Sequence, residues 1–148
     1  MDYSQQALDL HHKKRGKLEI KLKDVLDSKD KLSTYYTPGV AAVSSYIYEH
    51  PEEAKNYTWL NNSLAVISDG SAVLGLGNIG PLASLPVMEG KCMLFKTFAG
   101  IDAVPIILDV HSASEIVDAV VAIAPSFGAI NLEDIKAPVC FEVERQLI

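Results

Sequence analysis

Two kinds of apolar pattern take turns along this chain. Leu64–Ile67, Val104–Leu108 and Phe127–Leu132 are short runs with few polar interruptions. All three read as strands, and Val104–Leu108 is of the kind that fits a strand covered on both faces. Between and around them the apolar positions recur at helical spacing. Tyr3, Ala7 and Leu8 share one face of a helix over Tyr3–Lys14 that Gly16 ends. A helix from about Gly39 to Glu49 stops before Pro51, another opens at Pro81, and Ile116, Val117, Val120, Val121 and Ala124 line a helix over Glu115–Ala124 capped by Ser112 or Ser114. Leu18-Glu19-Ile20-Lys21-Leu22 alternates strictly, which predicts a short half-exposed strand, and Asp24–Leu32 reads as a loop with a helical turn. Strands alternating with helices imply βαβ units, so the expected fold class is α/β, a mostly parallel sheet with helices on both faces.

Composition narrows the function. A length of 148 residues fits one domain with a sizeable core. The net charge of −6 leaves no summed positive field for nucleic acid or anionic lipid. The basic cluster Lys13-Lys14-Arg15 with Lys17 is short and suits a helix C-terminus. No apolar run approaches the roughly 18 residues of a membrane span. The opening MDYSQQALDL lacks the apolar region of a signal peptide, so a cytoplasmic location is expected. Cys92 and Cys140 make no metal spacing and read as buried free thiols.

The chemistry concentrates where strands end. Asp69, Asp109 and the pair Glu133-Asp134 all follow predicted strands, on the edge where parallel sheets present their sites. Between them Gly75, Gly77 and Gly80 spell G-x-G-x-x-G ahead of Pro81. Three readings stand for it: a tight strand-to-helix turn, a dinucleotide fingerprint with Asp102 or Asp109 on the ribose, or a site for a small carboxylate. The fingerprint normally has its acid about 20 residues on at a strand end, whereas Asp102 precedes its strand and Asp109 lies later than that. Glu133 and Asp134 are either a solvated loop pair or hard oxygen ligands for Mg²⁺ or Mn²⁺. Adjacent strand residues face opposite ways, so both acids reach one point only if the strand breaks there. Lys91, ahead of the apolar Cys92-Met-Leu-Phe95, is either a snorkelling lysine or a base. Tyr36 precedes Pro38 in irregular backbone and is either a packed ring or a reactive phenol, whereas Tyr46, Tyr48, Tyr57 and Trp59 read as core or interface rings. His111 reads as a polar residue near a helix start.

Four segments taken together, YTPGVA at 36–41, SDGSAVLGLGNIGP at 68–81, EGKCMLFKTFAGIDAVPI at 89–106 and NLEDIKAPVCFEVE at 131–144, resemble malic enzyme of the short bacterial type. The resemblance covers nearly the whole chain, with the motifs in family order. It implies the N-terminal, substrate-side domain over residues 1–148, with 1–23 as an arm, in a fold shared with amino-acid dehydrogenases. Malic enzymes oxidise L-malate to pyruvate and CO₂ with NAD⁺ or NADP⁺ and a divalent cation, Mg²⁺ or Mn²⁺. On the matching positions Tyr36 is the general acid, Lys91 the general base, and Glu133 and Asp134 are metal ligands. Gly77, Asn78 and Gly80 lie on the substrate side, so the glycine motif holds no cofactor. NAD(P) belongs to a separate domain, expected to be absent from this chain, as is the aspartate that completes the metal set. Relatives from higher organisms carry a malate-binding arginine where this chain has Ala72, which shifts that contact toward the backbone near Gly77–Gly80. The expected partners are malate or pyruvate and a second subunit in a homodimer, with no nucleic acid and no membrane. The isolated chain is expected to be inactive. A free-standing dicarboxylate-binding or dimerisation domain is the alternative.

Overall fold

A computed structural model describes residues 3–110 and 112–148, which leaves the His111 reading outside the described residues. The chain forms two compact units, Met1–Leu18 with Asn62–Ile148, and Glu19–Asn61.

The larger unit is built on a three-stranded parallel sheet, β1 (Ser63–Ser68), β2 (Asp102–Ile107) and β3 (Ala129–Leu132), in the order β2-β1-β3. Every residue of β1 is buried. Its side chains alternate between two cores. Leu64 and Val66 pack with Met88 and Cys92, while Ala65 and Ile67 pack with Ile116, Val120 and Val143. The first core belongs to α5 (Gly80–Ala99), and the second to α6 (Ala113–Ile123) and α7 (Val139–Leu147). The order explains the layering. The chain steps from β1 outward to β2 and then back across β1 to β3, so two crossovers of one hand must carry their helices over opposite faces.

Local chemistry sets the helix ends. Pro81 stands in the first turn of α5, and Gly100, at φ 71, closes it with its N–H on the Lys96 carbonyl. Of the two serines proposed as cap, Ser112 is the one used. It forms a reciprocal capping box with Glu115 at the start of α6. Before the sheet, α1 (Tyr3–Lys14) ends at Arg15-Gly16, and the Lys17 N–H donates to Glu89 Oε2 at 3.1 Å, tying the segment to α5.

The smaller unit holds α2 (Lys29–Tyr35), α3 (Val40–Glu49) and α4 (Ala54–Tyr57). Tyr46 packs its ring on His50 at 4.7 Å and on Tyr57 at 5.1 Å, whereas Tyr48 is 88% exposed and is no core ring within this chain. Gly39 sits where an added Cβ would lie 2.3 Å from the Thr34 carbonyl, so the α2–α3 corner closes only around glycine.

Three expectations change. Leu18–Leu22 forms no strand, because alternation prepares a strand face but, among the described residues, no strand edge pairs with it. The helical turn foreseen within Asp24–Leu32 starts later and runs further, as α2, because Ser28 caps it by accepting the Lys31 N–H at 3.2 Å. Helix α7 was not foreseen, although Val143 and the half-buried Val139, Cys140 and Leu147 recur at helical spacing against the second core, directly after the Pro138 break.

Two glycines separate backbone conformation from space. Gly70, at φ +68, has the Gly80 carbonyl 2.2 Å from where a Cβ would stand, while Gly75, at φ +77, has open space. Gly75→Ala is expected to cost about 1–2 kcal/mol for the left-handed backbone alone. Gly70→Ala should cost clearly more, because its methyl must also push two loop strands apart. Urea unfolding of both variants checks the difference, and equal losses would show that the close approach is relieved at no cost.

Candidate functional site

The carboxyl ends of the three strands gather the chemistry. Asp69 follows β1, Asp109 follows β2, and Glu133-Asp134 follow β3. The Glu133 N–H still donates to the Ile67 carbonyl at 2.8 Å, so the ladder reaches one residue past β3. Asp134 then turns left-handed, at φ 53. That is the break the acidic pair needed: the chain reverses between the two side chains, so strand alternation no longer sets them on opposite faces.

Helix α5 brings Lys91 to this point. Its apolar stripe of Ser84, Met88 and Cys92 is buried, and Lys91 sits on the flank of that stripe. Lys91 Nζ lies 2.6 Å from Glu133 Oε1, with the two side chains 38% and 24% exposed, and 5.9 Å from the centre of the Phe95 ring. Asn131 Nδ2 donates to the same Glu133 oxygen at 3.1 Å. Asp134 is different. Among the described residues no hydrogen bond is donated to its carboxylate. Burial pushes its carboxyl above the ordinary value, the adjacent Glu133 charge adds to the shift, and Lys91 pulls it back.

The loop after β1 is stitched to the loop after β3. The Ala72 N–H donates to the Asp134 carbonyl at 2.9 Å, and the Lys136 N–H donates to Ser71 Oγ at 2.8 Å. Ser71 in turn donates through both its hydroxyl and its N–H to Asp69 Oδ1, at 2.6 and 3.0 Å. Sequence reasoning passed over Ser71. The short-range Asp69-Gly-Ser71 turn was the available signal. In the glycine loop the Gly77 N–H is taken by the Val73 carbonyl at 2.8 Å and the Gly80 N–H by Asn78 Oδ1 at 3.2 Å. Those two amides therefore shape the loop before they can serve a ligand.

Lys91, Glu133 and Asp134 come together. Glu133 and Asp134 also line a cleft of about 700 Å³ whose walls are Val120, Ile130 and Leu132, while Asn78 and Gly80 line a smaller one of about 160 Å³ with Asp69, Asp109 and Lys136. Tyr36 belongs to the other unit, at the end of α2, and is 67% exposed; its N–H donates to the Leu32 carbonyl and its carbonyl accepts the Val40 N–H.

The two acids suit a hard divalent cation. An unbonded, partly buried carboxylate beside a second one is relieved by such an ion, and carboxylate oxygens are its preferred donors. Among the described residues no third His, Cys, Asp or Glu joins them.

Comparison with known proteins gives one answer. The family described as malic enzyme, N-terminal domain, matches residues 15–148. An NAD-dependent malic enzyme of Geobacillus stearothermophilus is 58% identical over 132 residues, covering 89% of this chain and 28% of that protein. A bifunctional malic/malolactic enzyme of Bacillus subtilis is 51% identical over 148 residues, covering 99% and 36%. The crystal structure of the NAD-dependent malic enzyme from Thermotoga maritima superposes with a TM-score of 0.93 at 51% identity, over 95% of this chain and 40% of that one. The chain thus spans well under half the length of each of these relatives.

The charges around Asp134 make a signed prediction. Glu133→Gln should lower the Asp134 pKa yet leave it above the ordinary value, since burial is the larger cause, and Lys91→Ala should raise it further. Carboxyl carbon NMR titration reads both. The folded state holds this proton more tightly than the unfolded chain does. The contribution of Asp134 to stability is therefore present below the ordinary carboxylate range and lost as pH rises through the folded-state value. Asp134→Asn should remove that part of the pH dependence, as measured by denaturant unfolding across the carboxylate range.

Proposed function

We propose that this chain, which belongs to the malic enzyme family as its N-terminal domain, supplies the substrate and metal side of an enzyme that converts L-malate to pyruvate and CO₂ with NAD⁺ or NADP⁺. The observation that carries the reading is the Lys91–Glu133 contact of 2.6 Å beside the unbonded Asp134 carboxylate. A lysine and two acids at the carboxyl edge of a parallel sheet are the groups needed to move a hydroxyl proton and to hold a divalent cation.

In this reading Lys91 accepts the proton of the malate C2 hydroxyl. For that, its Nζ must leave the 2.6 Å contact with Glu133 and turn to the substrate hydroxyl. Glu133 engaged with Mg²⁺ or Mn²⁺ would hold Lys91 less. Glu133 and Asp134 are the cation's ligands from this chain, and when bound the cation supplies Lewis acidity at the substrate hydroxyl and carboxylate. Tyr36 delivers a proton to the enolpyruvate carbon after CO₂ leaves. Gly77 and Gly80 set the loop that presents Asn78 to a substrate carboxylate, the role its position beside the smaller cleft supports. The nicotinamide cofactor is held by a domain outside these 148 residues, in keeping with the greater length of the relatives. Residues 1–148 act as one functional domain with 1–23 as its arm, and the protein works as a homodimer. Its free thiols, Cys92 and Cys140, fit the reducing cytoplasm.

The test uses the chain by itself and joined to a malic-enzyme cofactor domain. By itself it should bind Mn²⁺ weakly by electron paramagnetic resonance, with binding lost in Glu133→Gln and in Asp134→Asn, and should form no NADH or NADPH from malate. In the joined form Lys91→Ala and Tyr36→Phe should each lower kcat by about 10²–10⁴, the range of a lost acid or base. Unchanged turnover in the Lys91 variant, or Mn²⁺ binding indifferent to both acids, would refute the assignment.

A further inference from the structure

The alternating segment Leu18–Leu22 has a strand-like pattern but no strand assignment in this chain. Every residue from 18 to 30 is exposed, with Ile20 at 96% and Leu22 at 71%. Among the described residues no hydrogen bond reaches the backbone or the side chains of 18–23. A row of unpaired N–H and C=O groups beside exposed apolar side chains is the template for adding another strand.

The sequence says which strand. Laid antiparallel on a copy of itself about a two-fold axis through Ile20, the segment sets Ile20 against Ile20, Leu18 against Leu22 and Glu19 against Lys21, with each unlike pair occurring twice. Leu18, Ile20 and Leu22 of both copies then share one face of the ribbon and the opposite charges share the other. Lys17, which would come opposite Lys23, already donates its ammonium to the Pro86 carbonyl of its own chain at 2.8 Å and so is drawn off the ribbon. A shift of register by one residue in either direction ends this match, because it sets leucine or isoleucine against a charged residue at each of these positions.

We propose that Leu18–Leu22 is the pairing strand of a homodimer, and that its occupant is the same segment of a second copy, antiparallel and centred on Ile20. This rests on the homodimer in the proposed function and adds its surface and register. It also accounts for a strand-like sequence that finds no ladder within one chain.

A charge exchange tests the register. In sedimentation equilibrium of the 148-residue chain at low salt, Glu19→Lys alone and Lys21→Glu alone should each raise the dimer dissociation constant about tenfold, since each turns two attractive cross-strand pairs into repulsive ones. The double exchange, Glu19→Lys with Lys21→Glu, should restore it. Ile20→Cys should join two copies by a disulfide on mild oxidation beyond the level of the parent chain, because directly opposed residues have the spacing a disulfide needs. All these side chains are exposed, so folding is not at stake. A parent chain that stays monomeric at every concentration overturns both the homodimer and this surface. A dimer that ignores the single charge changes, and whose Ile20→Cys variant does not self-link, overturns this surface alone.

Discussion

The structure depends on one strand being dry on both sides. Strand β1 has all six residues buried, and its alternate side chains feed two separate cores. A parallel strand in that position needs a helix layer above and below, and each layer must come from a crossover. The order β2-β1-β3 follows, since the chain can cover both faces of β1 only by crossing it once in each direction. The site inherits its place from this. The strand order reverses around β1, and the loops leaving its carboxyl end and that of β3 must diverge or be tied together. Here they are tied, by Ala72 to Asp134 and by Ser71 to Lys136.

That tie brings an electrostatic conflict. The left-handed turn at Asp134 sets two carboxylates at the end of one strand, partly out of water, and a single lysine answers them. Lys91 sides with Glu133, which also takes the Asn131 amide, and Asp134 is left with its proton held too tightly. A fold selected for stability alone would carry an amide there. Raised carboxyl values and unshared oxygens are characteristic of sites built for a charge that arrives from outside.

How much of this could be read beforehand depends on whether the signal was local. The run Leu64–Ile67 announced a strand ending at the Asp69-Gly70 turn, because both signals are local; that β1 is the strand buried on both faces came from the packing. A serine ahead of Ile116, Val117 and Val120 announced the start of α6, though Ser112 and Ser114 stood as equal candidates until the Ser112–Glu115 capping box decided between them. Helix α7 carried a local signal that went unread, Val139, Cys140, Val143 and Leu147 at helical spacing just behind Pro138. Spacing could not show that Lys91 reaches Glu133, because that contact is made by the packing of α5 on the sheet; the family resemblance alone joined the two. The acidic pair was legible as a question, since convergence required a break in the strand. The answer was a backbone angle at Asp134 that the letters do not print.

Leu18–Leu22 shows the same limit from the other side. Alternation fixes which side chains share a face but is silent on what lies across the edge, so a strand-like segment and a strand are different things until a partner is counted. Among the described residues no hydrogen bond reaches the backbone groups of this segment. Its letters are nonetheless ordered about Ile20, apolar facing apolar and glutamate facing lysine when the chain is turned on itself. A segment serving only as a tether between two units would need polarity and reach. Exposed leucine and isoleucine at alternate positions, with opposite charges between them, meet a different requirement, that of an edge which accepts its own copy in one register and resists the neighbouring ones.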